Sequence, residues 1–401
     1  RFLGQHLEVP ILRRVSLSQV QPGDELGGTI KVPSSQPGVL YKLRLTQGTV
    51  LTEQRIDRLK KLNIGKVPVK DPETEDLNGY VKDEAVEKAE DKVREDFDNF
   101  SSKLEGGTVG RKDVDRLRSA VNDLVESLRN SELMAAFTTL KTHDNYTAEH
   151  SLDVAKIVLQ LAMEDEQKYR RQLKANSGAS DKYINRHMLE DLGLGAMLHD
   201  LGKKEVPRNV INKPDSLNDE EWEEMEAHPE EGFEKLRAID HSINAPVKVP
   251  ALQHHEQYDG SGYPRELEGD EIHLFGRLCA PADVYSALTS DRPYREGQSP
   301  SSALAIMHDM QEEGPHFDPE IFDAFQNLVF PYPIGEEVEL SDGRRGVVSD
   351  VDPDNPRQPT VRVLYDGDRR VDSPEEITVP NRPGELRITD PSHRETRIVR
   401  D

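Results

Sequence analysis

The sequence predicts a mainly α-helical protein of several domains, with a central helical domain between a small α/β module and a small β-barrel-like module. Its 401 residues correspond to two or three domains. The middle of the chain has the apolar spacing of helices, and both ends have short alternating runs separated by turn residues. We expect the N-terminal module at 1–75, an acidic linker with connecting helices at 76–131, the helical domain at 132–330, the β module at 331–380 and a polar tail at 381–401.

The N-terminal module is predicted from its turns. Turn residues at 21–24 and 33–38 separate short apolar runs, which is typical of strands and hairpins. Residues 52–62 place Ile, Leu and Leu at helical spacing and therefore predict a helix. Residues 66–69 predict a last strand. Together these elements indicate a small α/β module.

The connecting region and the helical domain follow from amphipathic patterns. Residues 83–104 are charged and weakly amphipathic, whereas 112–130 carry a clear apolar face. The apolar spacing between 152 and 161 is the strongest in the chain. Residues 167–181 are polar, and we expect them to form an exposed excursion rather than part of the core.

The C-terminal module is predicted from alternating strands and from Asp-Gly turns at Asp342 and Asp366. We expect a small barrel that ends near Val379. The tail beyond it is polar and is expected to fray.

Charge and composition exclude several classes of protein. The 76 acidic and 52 basic residues give a net charge of −24, which argues against a partner that is a nucleic-acid polymer. The single cysteine, Cys279, excludes an intramolecular disulfide framework, and no apolar run is as long as the roughly 20 residues of a membrane-spanning helix. We therefore expect a cytoplasmic protein without a membrane partner. Adaptation to high salt and a coding bias explain the acidic surface equally well.

Candidate metal ligands cluster in the helical domain. Five histidines and two aspartates form the set: His150, His199, Asp200, His228, His254, His255 and Asp283. Imidazole with carboxylate suits iron, manganese, zinc or nickel better than magnesium or calcium. The adjacent His199 and Asp200 suit a dinuclear site, because a carboxylate can bridge two cations. From spacing alone, a metal site and a set of ordinary structural histidines are about equally expected.

Three motifs decide between these alternatives. The chain contains His-Asp-Leu-Gly-Lys at 199–203 and His-His-Glu-Gln-Tyr-Asp-Gly-Ser-Gly-Tyr-Pro at 254–264, followed by an Asp-containing segment at 282–295. This region, about 140–325, resembles the HD-GYP family, the branch of HD-domain metallophosphohydrolases that degrades cyclic di-GMP. A looser match to the closing motif of the family lies at 314–319. The segments before and after it are similar to modules that often flank such domains.

The resemblance implies a role for each matching residue. One metal would be held by His150, His199, Asp200 and Asp283, and Asp200 would bridge to a second metal held by His228, His254 and His255. Asp200 and Lys203 would be catalytic, with Lys203 directed at substrate phosphate. Tyr263, Arg292 and Arg295 would contact the dinucleotide. The implied cofactors are two divalent transition-metal ions, iron or manganese, with zinc and nickel as alternatives.

Two departures from the family pattern bear on the metal count and on the pocket. Some members have a glutamate four residues before the first histidine, which contributes to a third metal, and here that residue is Tyr146. Glu149 lies next to His150, but adjacent helical residues point in different directions, so we expect two metals. Lys204 and Glu205 replace an apolar-small pair after the lysine, which could alter the pocket wall.

The resemblance implies hydrolysis of cyclic di-GMP to linear pGpG, and in a second cycle to GMP, by attack of a metal-bridging hydroxide. Two alternatives stay open. The chain could hydrolyse another cyclic dinucleotide or nucleotide, or it could be a non-catalytic receptor for cyclic di-GMP. A homodimer or a signalling protein would be bound through the flanking modules.

Overall fold

The computed structural model describes residues 13–130, 146–290 and 297–389. Short gaps lie inside these ranges, at 18–19, 28–29, 34–40, 63, 65, 71–73, 75–76, 78–83, 178–179, 212, 214–215, 240–242, 353–354, 368 and 383. Within these described ranges, none of the helices combines the length and the apolar character that crossing a bilayer requires.

The described residues of the N-terminal segment form two antiparallel strand pairs and one helix. Strand β1 (Arg13–Ser16) pairs with β4 (Lys66–Val69), and β2 (Ile30–Pro33) pairs with β3 (Tyr41–Leu45). Helix α1 (Glu53–Lys61) begins after Thr52, whose side chain accepts a hydrogen bond from the backbone N–H of Arg55 and so caps the helix. Its apolar face closes a small separate core, formed by Leu26, Leu51, Ile56, Leu59 and Val67 among others.

Two long helices connect this segment to the helical domain. Helices α2 (Glu84–Glu105) and α3 (Arg111–Asn130) match the two stretches in which the sequence predicts helices. The apolar face of α3 is buried in the main hydrophobic core of the protein. The charged pattern of α2 has a structural explanation, because Glu90 forms a buried ion pair with Lys156 of the helical domain, and apolar residues of α2 pack in the main core.

The helical domain is built from ten helices among the described residues. They are α4 (Tyr146–Glu164), α5 (Glu166–Ser177), α6 (Asp181–Met197), α7 (Arg208–Ile211), α8 (Asp219–Glu226), α9 (His228–Ala238), α10 (Ala245–Gln253), α11 (Leu274–Thr289), α12 (Pro300–Glu313) and α13 (Pro319–Leu328). A 3₁₀ turn, Leu201–Lys204, follows α6.

The expectation of an exposed excursion at 167–181 is wrong. Helix α5 covers most of this stretch, and its Tyr169 and Leu173 side chains are buried in the main core. These two residues are four apart, so they lie on the same helix face. The remaining residues of α5 are mostly polar, which explains why the sequence pattern is so weak.

Glycines allow the elements around the centre of the domain to approach closely. A Cβ on Gly195 of α6 would lie 2.9 Å from both the Pro250 ring and the Val247 carbonyl oxygen of α10. A Cβ on Gly202, in the 3₁₀ turn, would lie 1.9 Å from the carbonyl oxygen of His228. The end of α6, the turn, the start of α9 and helix α10 therefore approach one another closely.

The C-terminal segment is an open antiparallel sheet, so the barrel-like prediction is wrong. Its strand order is β8-β7-β6-β5-β9, with bounds β5 (Glu337–Leu340), β6 (Arg344–Asp350), β7 (Thr360–Asp366), β8 (Arg369–Thr378) and β9 (Ile388–Thr389). Strands β8 and β9 form the two edges and do not pair with each other. The short strand β9 also extends the sheet past the expected end of the module near Val379, into the predicted tail.

Candidate metal centre

The seven predicted ligands come from five separate segments of the chain and converge in the helical domain. His150 lies on α4, and His199 and Asp200 follow the end of α6. His228 begins α9, His254 and His255 follow α10, and Asp283 lies on α11. All of these side chains are buried except His255, which is 18% exposed. Three overlapping sets of three ligand atoms each lie within 4.8 Å of one another.

The Asp200 carboxylate lies between two pairs of histidines. Its Oδ2 is 3.5 Å from Nε2 of both His150 and His199. Its Oδ1 is 3.5 Å from Nε2 of His254 and 3.6 Å from Nε2 of His228. Each carboxylate oxygen thus faces a different pair of imidazole nitrogens, which is the arrangement that a bridging ligand requires.

Asp283 faces the first of these pairs and reaches towards His255. Its Oδ1 is 2.9 Å from Nε2 of His150 and 3.5 Å from Nε2 of His199. Its Oδ2 is 3.9 Å from Nδ1 of His255. Both aspartates therefore lie close to His150 and His199.

Backbone carbonyls set the tautomer of three of the histidines. Nδ1 of His199 donates to the carbonyl of Ala196, Nδ1 of His228 to that of Met225, and Nδ1 of His254 to that of Pro250, at 2.6, 2.7 and 2.7 Å. A carbonyl oxygen only accepts, so the proton of each neutral ring is on Nδ1. Each Nε2 then directs a lone pair into the centre, as in metal-binding histidines.

The donor atoms fit bound cations. Nε2 of His228 and Nε2 of His254 lie only 3.2 Å apart, and Oδ1 of Asp200 faces both. Three electron-pair donors in this arrangement repel one another unless a positive charge lies among them. Within the described ranges, His199 Nε2 and Asp200 Oδ1 are buried without a hydrogen-bond partner. Mixed imidazole and carboxylate donors of this kind suit divalent transition metals.

The electrostatics of the site also favour cation binding. Burial, together with the Lys203 ammonium, lowers the pKa of His228 to about 3, so its ring is neutral. Burial would raise the pKa of Asp200, but Lys203 and His199 hold that pKa well below its usual range. Burial likewise opposes the charged form of His199, yet Asp200 and Asp283 outweigh it and raise the pKa of His199 to about 10. The charged aspartates therefore favour a cation at this centre.

The predicted substrate contacts divide into described and undescribed residues. Lys203 Nζ lies 2.9 Å from Asp200 Oδ2, and its side chain is 31% exposed, so it connects the buried centre with solvent. The Tyr263 ring stacks on His255, with 4.8 Å between the ring centroids and 27° between the planes. Arg292 and Arg295 lie outside the described residues.

The residues that depart from the family pattern contact other parts of the protein. Glu149 forms a two-point ion pair with the Arg94 guanidinium on α2, so its carboxylate is directed away from His150. Lys204 forms an ion pair with Glu105, and Glu205 forms one with Lys235.

Two residues that support the centre were not predicted. Ser286 Oγ lies 3.0 Å from Nδ1 of His150, and it is three residues after Asp283 on the same face of α11. The spacing of three residues from Asp283 could have identified Ser286 from the sequence. Glu256, next to His255, is buried, and its carboxylate accepts two backbone hydrogen bonds from a loop. Its position inside a motif was visible in the sequence, but its partners were not.

Comparison with known proteins bears on the identity of this centre. A family model described as HD domain matches residues 146–321. Cyclic di-GMP phosphodiesterase PA4108 of Pseudomonas aeruginosa is 35% identical over 269 residues, which cover 66% of this chain and 60% of that protein. A cyclic di-GMP phosphodiesterase of Vibrio cholerae is 35% identical over 217 residues, which cover 53% of this chain and 42% of that protein.

A relative with a different named substrate also matches. The 3'3'-cGAMP-specific phosphodiesterase 2 of Vibrio cholerae is 37% identical over 126 residues, which cover 31% of this chain and 24% of that protein. The matched regions thus span less than two thirds of the length of these three relatives. The HD-domain match, the motifs around the seven converging side chains and these relatives agree: residues 146–321 form an HD domain, and this domain resembles the HD-GYP family.

Proposed function

We propose that this protein is a metal-dependent phosphodiesterase that hydrolyses cyclic di-GMP. The observation that carries the proposal is the Asp200 carboxylate, whose two oxygens face two different pairs of histidines. The names of two relatives support the substrate class, because both are cyclic di-GMP phosphodiesterases.

Two divalent transition-metal ions would occupy the centre. One would be held by His150, His199 and Asp283, the other by His228, His254 and His255, and Asp200 would contact both. Iron and manganese are the proposed ions, and zinc or nickel would satisfy the same donors. When bound, a pair of such ions polarises phosphoryl oxygens and makes water a better nucleophile at neutral pH.

The protein's own residues would prepare the substrate for attack. Asp200 and Asp283 keep the centre anionic until cations bind, and the carbonyl-bound imidazoles keep their orientation. Lys203 lies at the solvent side, where its ammonium would stabilise negative charge that accumulates on the phosphoryl oxygens. Departure of the 3′ oxygen would give linear pGpG, and a second round would give GMP.

Binding of the dinucleotide would fall to residues outside the ligand set. Tyr263 is partly exposed beside His255, where its ring and hydroxyl can meet a nucleotide. Arg292 and Arg295 follow α11 in sequence and would hold phosphate. Hydrolysis of 3'3'-cGAMP is the second candidate function, since a relative is named for that substrate and the metal chemistry would be the same.

Turnover measured with defined metals tests the proposal. The chain would be stripped of metal, reloaded with Mn²⁺ or Fe²⁺, and assayed separately with cyclic di-GMP and 3'3'-cGAMP. Metal-dependent formation of pGpG supports the proposal, and faster hydrolysis of 3'3'-cGAMP favours the second candidate. Asp200→Asn should lose metal and slow turnover by more than about 100-fold. Losing a residue that only hydrogen-bonds to a ligand costs up to about 100-fold, and losing the ligand itself should cost more. Tight binding of cyclic di-GMP without turnover would identify a receptor instead.

The flanking segments have a separate proposed role. We propose that the chain divides at about 75, 131, 330 and 380, that 1–75 forms an α/β module, and that these segments bind a second copy of the chain or a signalling protein. Analytical ultracentrifugation of the whole chain, and of the chain shortened at either end, would test this division.

A further inference from the structure

A buried carboxylate next to the metal centre holds a loop in place. Glu256 is 2% exposed, and its two oxygens accept hydrogen bonds from the backbone N–H groups of Arg265 and Leu267, at 2.8 and 2.9 Å. The carboxylate thus closes a loop of about ten residues onto its own first residue. Hydrogen bonds to a charged acceptor contribute more than neutral ones.

The closed loop leaves no space for a side chain at Gly262. A Cβ on Gly262 would lie 2.2 Å from the backbone nitrogen of Gln257 and 2.5 Å from the carbonyl oxygen of His255. The next residue, Tyr263, donates its backbone N–H to that same carbonyl, at 3.2 Å. The loop therefore folds back onto the chain segment that supplies His254 and His255. This places the Tyr263 ring against the His255 ring.

His255 is held differently from the other ligand histidines. Nδ1 of each of the other four lies within 3.0 Å of a backbone carbonyl or of the Ser286 hydroxyl. In the described part of the chain, the His255 ring makes no such hydrogen bond. It lies instead between rings: His228 and His254 at 5.0 and 4.0 Å between centroids, and Tyr263 stacked at 4.8 Å.

We propose that Glu256 and Tyr263 are positioning residues for His255. Glu256 fixes the loop, and the loop places the Tyr263 ring against the imidazole, which keeps the His255 ring beside His228 and His254. The proposal rests on the proposed metal-dependent function and deepens it. It gives Tyr263 a role in holding a ligand in addition to any contact with the dinucleotide.

Metal affinity, measured in the whole protein without substrate, tests this role. Mn²⁺ affinity would be determined by competition with a chelator for the wild type, Glu256→Gln, Tyr263→Ala and Tyr263→Phe. Removing a group that orients a ligand typically weakens metal binding about 10- to 100-fold. We expect that loss in Glu256→Gln and Tyr263→Ala for one of two ions, whereas Tyr263→Phe keeps the ring and should bind metal almost as the wild type does.

A matched control and a second measurement keep the result interpretable. Glu266→Gln changes an exposed carboxylate of the same loop and should leave metal affinity unchanged. If Glu256→Gln does not fold, the Mn²⁺ affinities of Tyr263→Ala and Tyr263→Phe still test whether the Tyr263 ring positions His255. Wild-type affinity in Tyr263→Ala would overturn the positioning role, even if cyclic di-GMP is hydrolysed. Weakened affinity in a protein that hydrolyses neither dinucleotide would support the positioning role and overturn only the proposed function.

Discussion

Lys156 of α4 and Glu90 of α2 form an ion pair in which both side chains are buried, with 2.9 Å between Nζ and Oε1. Asp153, also buried, lies 3.5 Å from the same ammonium. Burial would lower the pKa of Lys156, but Asp153 and Glu90 outweigh it and raise that pKa above its ordinary value. A helix of the connecting region is thus held by charge to the helix that carries His150.

Lys156→Met should lower the free energy of unfolding by about 3–5 kcal/mol, because it removes the buried ammonium that two buried carboxylates face. Chemical denaturation followed by circular dichroism would measure this. Lys92→Met is the control, since Lys92 pairs with Asp123 where both side chains are about half exposed. Its effect should stay below about 1 kcal/mol. Equal effects of the two substitutions would contradict the importance of the buried pair.

The start of α11 should make stability depend on pH. Nδ1 of His273 caps this helix by accepting the backbone N–H of Phe275 at 3.1 Å. Burial, together with Arg277, lowers the pKa of His273 to about 4. The unfolded chain therefore binds more protons between about pH 6.5 and pH 4, so the contribution of His273 is present above pH 6.5 and is lost as the pH falls through this window.

The variant His273→Asn isolates this contribution, because asparagine can accept the same capping bond without titrating. Between pH 7 and pH 4.5, the melting temperature of the wild type should fall further than that of the variant. All other titratable groups are the same in both proteins, so their contributions cancel in the comparison. The same fall in both would show that His273 does not control this pH dependence.

The metal count should be two ions per chain. A tyrosine, Tyr146, occupies the position where some family members have a glutamate, and the neighbouring acidic side chain, Glu149, is bound by Arg94. Elemental analysis of anaerobically purified protein should approach two transition-metal ions. A reproducible third ion that survives dialysis and disappears in Glu149→Gln would show that Glu149 can leave Arg94 and bind metal.

Substrate specificity should depend on Arg292. An arginine can hold a phosphate through two hydrogen bonds, and losing a charged hydrogen bond costs about 1.5–3 kcal/mol. Arg292→Ala should therefore lower kcat/KM for cyclic di-GMP by roughly 10- to 150-fold. Hydrolysis of bis(p-nitrophenyl) phosphate needs only the metals and should fall much less. If both activities fall equally while the metal content is unchanged, Arg292 has a catalytic or structural role.

The helices and the convergence of the candidate ligands were largely predictable, for physical reasons. The regular apolar face of α3 predicts a helix, and Thr52 is a capping residue at the start of α1. Five of the seven candidate ligands stand in motifs with little freedom of spacing. These are local properties of the sequence.

What could not be predicted depends on contacts between distant segments. Helix α5 offers only Tyr169 and Leu173 to the core, and β9 is two residues long, so neither has a recognisable pattern. Whether a sheet closes depends on pairing between its first and last strands, and alternation within each strand does not reveal this. For the same reason the sequence indicates Asp200 as a bridging ligand but not which oxygen faces which histidines.

The contact of Gly202 with the His228 carbonyl has a consequence for how the centre responds to its ions. Main-chain atoms, rather than adjustable side chains, set the separation between the Asp200 turn and the first residue of α9. The energetic cost of bringing Asp200 and His228 together is therefore met when the protein folds. Binding or loss of an ion need not rearrange the backbone that holds them. A single added methyl group at position 202, which ligates nothing, would push the Asp200 turn away from His228. It would therefore weaken cation binding by both residues.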